Sequence, residues 1–300
     1  MKKTVRNAVL AAMVLTTVCG GAQMAWAENV DLSNAEGTGL SVVRATVNEE
    51  KTAKNENINI TGKNISYTVL ADGNSAGQGG HITLGDGNTQ NVNISATGKN
   101  AYGMMSLYGG SNITVNGDTL TINAKGTGYA IGMQAQSNSN EPAAKIDINT
   151  KNTVINASTD NDNVKPGEEH TAIGIVAYSG STVKIDNNLT VNAGTAISTR
   201  GYSTININQG GTGTVKMNGD ISFNYDKDTS KTPIDSTVNL NLTNEESYLN
   251  GNIIKTGNPP KDTIKTGNPP EDTTIDAVNH MNLSLSNGAT WTSTDDSFVN

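Results

Sequence analysis

The chain has 300 residues, a formal net charge of −8, 16% charged residues and 4% aromatics. Asparagine (41), threonine (38) and glycine (32) fill more than a third of it, a composition too polar for a compact α/β enzyme. The acidic balance argues against nucleic acid as a partner, and sparse charge with alternating apolar residues argues against disorder.

Residues 1–27 have the three parts of a secretory signal peptide. They are a basic start (Lys2, Lys3, Arg6), an apolar run at 8–18 and an Ala25-Trp26-Ala27 cleavage site. The run is too short to span a bilayer. Cys19 does not read as a lipid-attachment site, because Val18 precedes it where a small residue belongs. Cleavage after Ala27 removes the only cysteine and leaves 17 basic against 28 acidic residues, a net charge of −11. The expected mature chain is exported, free of disulfides and held by backbone hydrogen bonds.

Short stretches of period two follow at 57–61, 65–70, 81–84, 91–96, 112–115 and 119–124, then at 145–149, 153–157, 182–186, 189–193, 204–208 and 214–218. Each offers two or three apolar residues to one face and Asn, Thr, Lys or Asp to the other. Gly, Asn, Asp and Ser fill the turns. No amphipathic helix is expected after residue 27.

One spelling recurs. Ala101-Tyr102-Gly103-Met104-Met105 returns as Tyr129-Ala130-Ile131-Gly132-Met133 and as Thr171-Ala172-Ile173-Gly174-Ile175, with a weaker copy at Thr195-Ala196-Ile197-Ser198. A later strand of each copy ends in Ile122-Asn123-Ala124, Ile155-Asn156-Ala157 or Val191-Asn192-Ala193. Polar insertions at 137–142 and 158–169 separate the copies. A unit of three short strands and three turns, about 20–25 residues, cannot bury its apolar face alone, whereas stacked copies can. The expected fold is therefore all-β, a right-handed parallel β-helix (solenoid) of roughly three strands per coil. About twelve coils at about 4.8 Å each are expected, over 28–253 and again over 274–300. Between them, 254–273 holds Ile-Lys-Thr-Gly-Asn-Pro-Pro twice, nine of ten positions matching. It reads as an exposed duplicated loop, since proline cannot supply ladder amides.

The C-terminal stretches VNLNLTNEESYLNGNI (238–253) and MNLSLSNGATWTSTDDSFVN (281–300) alternate an apolar residue with Asn or Ser, then turn into an aromatic. This pattern resembles the passenger domain of bacterial autotransporters, of the pertactin-like and self-associating adhesin type. Leu283, Ser286, Ala289 and Trp291 carry the resemblance, and Tyr248 takes the place of Trp291 one or more coils earlier. The resemblance implies export through the periplasm to the cell surface or beyond, by way of an outer-membrane translocator barrel. The sequence stops at Asn300 in mid-pattern without such a barrel, so the expectation is a fragment, the alternative being a passenger secreted by other means.

A β-helix can also carry an enzyme that degrades polysaccharides, a lyase or glycosidase, with carboxylates converging on one face. Asp147, Lys184, Asp186 and Arg200 are the candidates, and Asp147 and Asp186 are expected to stack one coil apart. Solvated outer charges explain them better. His81, His170 and His280 lack metal-ligand spacing. Asp72-Gly73-Asn74 and Asp86-Gly87-Asn88 read as turns rather than calcium loops. No cofactor or metal is implied, and no catalytic residue is assigned. The expectation is a non-enzymatic adhesin or self-association rod that meets host-cell or bacterial surface ligands, or itself on neighbouring cells. Asn112, Asn116, Thr182 and Asn187 form the expected interaction face.

Overall fold

The computed structural model describes residues 29–33, 40–137, 142–160, 169–224, 236–256, 262–266, 271–275, 279–294 and 297. The expected signal peptide, with Ala25 and Ala27, lies outside them. The fold is all-β, and no helix occurs among the described residues.

The strands lie in three parallel ladders. Ladder A starts at Asn29–Ser33, pairs it with Asn57–Lys63, and continues through 91–97, 119–125, 152–158, 188–192, 215–218, 248–250 and 290–292. Ladder B runs through 41–45, 67–72, 101–107, 129–136, 172–178, 195–200, 221–224 and 253–256. Ladder C runs through 50–53, 81–84, 112–116, 145–149, 182–185, 204–207, 237–242 and 280–285. The chain visits A, B and C in turn. The 25-residue strand Asn112–Gln136 serves C, A and B without a break, bending at Gly117, whose φ of 134° suits glycine.

The alternation seen in sequence decides which side chains face inward. Asn57–Lys63 and Lys145–Thr159 bury every second residue over most of their length. Ile60, Ile94, Ile122, Ile155 and Val191 stack in one inward column of ladder A. Ile82, Ile113, Ile146, Val183 and Ile205 stack in ladder C. All are at most 1% exposed and belong to one continuous cluster. Each such side chain contributes about 1.5–3 kcal/mol.

The glycine of the recurring spelling has a steric cause. A Cβ on Gly103 would stand 2.5 Å from Ile122 Cγ2, one on Gly132 2.4 Å from Ile155 Cγ2, and one on Gly174 2.5 Å from Val191 Cγ1. Ladder B therefore passes close over ladder A on these rungs. Where B turns into C, Ser111, Ser181, Ser203 and Ser236 are almost fully buried. The Ser111 hydroxyl donates to the Tyr108 carbonyl at 2.7 Å, the Ser203 hydroxyl to the Arg200 carbonyl at 2.9 Å and the Ser181 hydroxyl to the Ala135 carbonyl at 2.7 Å, which satisfies these three inside the corner; the Ser236 hydroxyl has no partner among the described residues.

Several expectations are corrected. Rungs recur every 26 to 42 residues in ladder A, not every 20–25, because strands run longer and corners hold more residues. That ladder accordingly has nine described rungs rather than about twelve. The expected loop at 254–273 begins inside ladder B, where Ile253–Thr256 pairs with 221–224. Within it, Asp262–Thr266 and Glu271–Ile275 pair with each other antiparallel, apart from the ladders. The two Asn-Pro-Pro stretches lie outside the described residues. Trp291 aligns with Leu249, so Tyr248, aligned with Thr290, is one residue out and on the opposite face. Outer residues of ladder B are not polar throughout: Leu70, Met105 and Val176 share one column, with Gln134 between the last two, and are buried.

Candidate functional site

The most regular outer feature is on ladder A. Asn123, Asn156, Asn192, Asn218 and Asn250 occupy the same position on five successive rungs. Each Nδ2 donates to the Oδ1 one rung earlier: Asn156 to Asn123 at 2.9 Å, Asn192 to Asn156 at 2.8 Å, Asn218 to Asn192 at 2.9 Å and Asn250 to Asn218 at 3.2 Å. An amide has two N–H donors and an oxygen with two lone pairs. Along the column each interior rung uses one donor and one lone pair; at Asn218 the second N–H is also taken, by the Tyr248 hydroxyl at 3.3 Å, whereas Asn156 and Asn192 keep theirs for solvent or a partner. Shorter columns of the same kind join Asn57 to Asn91 and Asn59 to Asn93 in ladder A, and Asn206 to Asn239 and Asn282 in ladder C.

An Asn192→Asp substitution tests whether the column is energetically coupled. The carboxylate cannot donate to Asn156 Oδ1 and sets two acceptors face to face. Stability should fall by about 1 kcal/mol, read as a lower urea midpoint with unchanged slope.

The four residues expected as one face do not form one. Asn112 and Thr182 share a column of ladder C, but Lys145 stands between them. Asn116 lies two outward positions further along, beyond Thr114, and accepts from Asn149 Nδ2 at 3.1 Å. Asn187 is a corner residue with φ of 81°, its amide turned onto the Thr150 carbonyl at 3.2 Å. Asn-apolar-Thr spelling is shared by all three ladders, so the sequence alone did not show which of them carries the longest asparagine column. The recurring apolar-Asn-Ala triplet was the signal for the longer column.

The charged candidates separate as well. Asp147 is in register with Lys184, not with Asp186, so the expected carboxylate stack is absent. Lys184 instead binds Asp186 at 2.7 Å. That hydrogen bond and charge, with Asp147 beneath, raise the lysine above its ordinary value and keep it an ammonium. Arg200 stands on ladder B, its guanidinium 4.4 Å over the Tyr178 ring. Asn74 Oδ1 and Asp86 Oδ1 accept backbone N–H groups of their own turns, from Ala76, Gln78 and Asn88. No cluster of three or more His, Cys, Asp or Glu able to hold a metal occurs among the described residues.

Ladder B carries a different surface. Tyr102 and Tyr178 pack against Ile131, Ile173 and Val176 on its outer side. The Tyr67 and Tyr102 rings meet edge to face at 5.2 Å. Burial, then the neighbouring Tyr108 and Asp72, raises the Tyr67 hydroxyl. Burial, then the Glu169 carboxylate, pushes Tyr178 far higher, against the opposing hydrogen bond with Ser198 at 2.9 Å. These tyrosines stay neutral at physiological pH. No family model matches the sequence, and no curated protein or solved structure is significantly similar to it.

Proposed function

We propose that the chain is a right-handed parallel β-helix of three strands per turn, and that it works as an exported, surface-displayed, non-enzymatic rod of the autotransporter-passenger kind. Its business is adhesion, and in particular association with other copies of itself. The parallel registers, the single inward core and the A, B, C order of the ladders support the architecture. The observation that carries the function is the neutral asparagine column of ladder A, which leaves spare acceptors along its length and a spare donor at Asn156 and Asn192.

Two such columns laid side by side have the same rung spacing, about 4.8 Å, so amides on one rod meet amides on the other without distortion. Each bond contributes about 0.5–1.5 kcal/mol net. One is negligible, and several in register hold surfaces together although the chain as a whole is acidic. Cells that display the rod on a translocator barrel should clump more than cells displaying the barrel alone. Lysines at Asn123, Asn156, Asn192 and Asn218 together should disperse them by like charge. Lysines at Asn112, Asn116, Thr182 and Asn187 should act less, since these residues share no one column and Lys145 already stands between Asn112 and Thr182. Clumping that survives the ladder A changes would remove self-association and leave adhesion to a distinct ligand.

A further inference from the structure

We infer that the outer side of ladder B binds a neutral oligosaccharide, held across exposed tyrosine rings. Six of the chain's eight tyrosines sit on or beside this one ladder: Tyr67, Tyr102, Tyr108, Tyr129, Tyr178 and Tyr202. Tyr102 and Tyr178 are explained by packing, since they cover Ile131, Ile173 and Val176. Tyr129, Tyr202 and Tyr108 are not. They are 49%, 44% and 37% exposed, in a chain with few aromatics.

Two of these exposed rings stand on strained backbone. Tyr108 has φ of 65° and Tyr202 φ of 56°, the left-handed region that bulky residues avoid. Other left-handed non-glycine positions are Asn48, Asn64, Asn187, Asn208, Asn287 and Ser179, small polar residues suited to it. Corner copies align on the buried serines Ser111, Ser181 and Ser203, and Tyr202 then falls where Gly110 and Gly180 stand. Glycine would serve the corner with less strain. A large ring kept there, and left in solvent, points to a use outside the fold.

The remaining groups define what the rings would hold. Gln134 is 5% exposed on the same outer side, donates to Gln136 at 2.7 Å, and keeps a buried Oε1 with no hydrogen-bond partner. That oxygen asks for an O–H or N–H donor. Ring faces favour the C–H faces of a pyranose, and amides favour its hydroxyls. Of the arginines on ladder B, Arg44 is bound to Asp72 at 2.6 Å and Arg200 is seated on the Tyr178 ring. A neutral chain of sugars suits this chemistry of rings and amides. The site deepens the adhesion reading by naming a ligand class on a face other than the self-association column.

The test uses the purified chain and four probes, cellohexaose, chitohexaose, maltohexaose and xylohexaose, titrated by calorimetry and ligand-observed NMR. At least one should bind saturably. Tyr202→Gly and Tyr129→Ala should each weaken that probe at least tenfold, and Tyr202→Gly should not lower the melting temperature. Lysines at Asn156 and Asn192 should leave sugar binding unchanged, so a failure of self-association is read separately from a failure here. Saturation by none of the four, or binding within twofold of wild type in both tyrosine variants, would overturn the site. A Tyr202→Gly protein that melts markedly lower would also overturn it, by showing that the ring serves the fold.

Discussion

A Gly132→Val substitution should be among the most damaging single changes in the chain, costing about 3 kcal/mol or more. Its first added carbon alone would stand 2.4 Å from Ile155 Cγ2 and 2.6 Å from the Gly174 carbonyl oxygen. Neither neighbour can retreat. Ile155 is fully buried in the core of ladder A, and Gly174 belongs to the next rung of ladder B. The conflict is one of space, since Gly132 is not at a positive φ. Thr68 and Ala196 take the same position in flanking copies, so the close approach belongs to the middle rungs. Gly87 provides the control: a Cβ there meets nothing within 4 Å. Gly87→Ala should stay within about 0.5 kcal/mol of wild type, with both variants compared by urea midpoint.

Phe223→Ala should cost about 3–5 kcal/mol. Phe223 is fully buried and is the largest of the fully buried side chains. Its column in ladder B is otherwise narrow, running Ala45, Ala71, Ser106, Ala135, Ala177 and Thr199 before it. Above it stands Lys255, which is exposed. The ring therefore fills the core near one end of the stack, where a cavity cannot be closed by a large neighbour in the same column. Phe223→Leu should recover more than half of the loss, as judged by thermal unfolding.

The class of fold was legible because inward and outward residues alternate for stretch after stretch, and the register of the copies was legible from their spelling. Ala101, Ala130 and Ala172 do align, as do Ile122, Ile155 and Val191. What period two does not reveal is the length of a corner. Asn112–Gln136 reads as separate strands with turns, yet it is one extended segment bent at glycine. That error shortened the expected unit and raised the expected number of rungs.

The candidate surfaces were less legible, for a related reason. Spelling shows that a residue faces outward but not which of three ladders it faces outward from. Asn112 and Asn123 look alike in sequence, and only the second heads an unbroken column. Asp147 and Asp186 failed similarly, since a two-residue offset across a rung replaced a carboxylate pair with an ion pair to Lys184. Ladder B's outer side was missed altogether. Its Met, Ile and Val were expected to face inward with the other apolar residues of the copies.

A distance series along one column tests the stacked architecture most directly. In a Cys19→Ser background, nitroxides on cysteines at Thr61 and in turn at Asn192, Asn218 and Asn250 would be measured by pulsed dipolar spectroscopy. These residues share a column of ladder A, four, five and six rungs apart. At about 4.8 Å per rung the backbone separations are about 19, 24 and 29 Å. Mean distances that lengthen by about one rung spacing at each step are the predicted result. Distances that stay constant, or shorten toward Asn250, would contradict a stack of parallel coils.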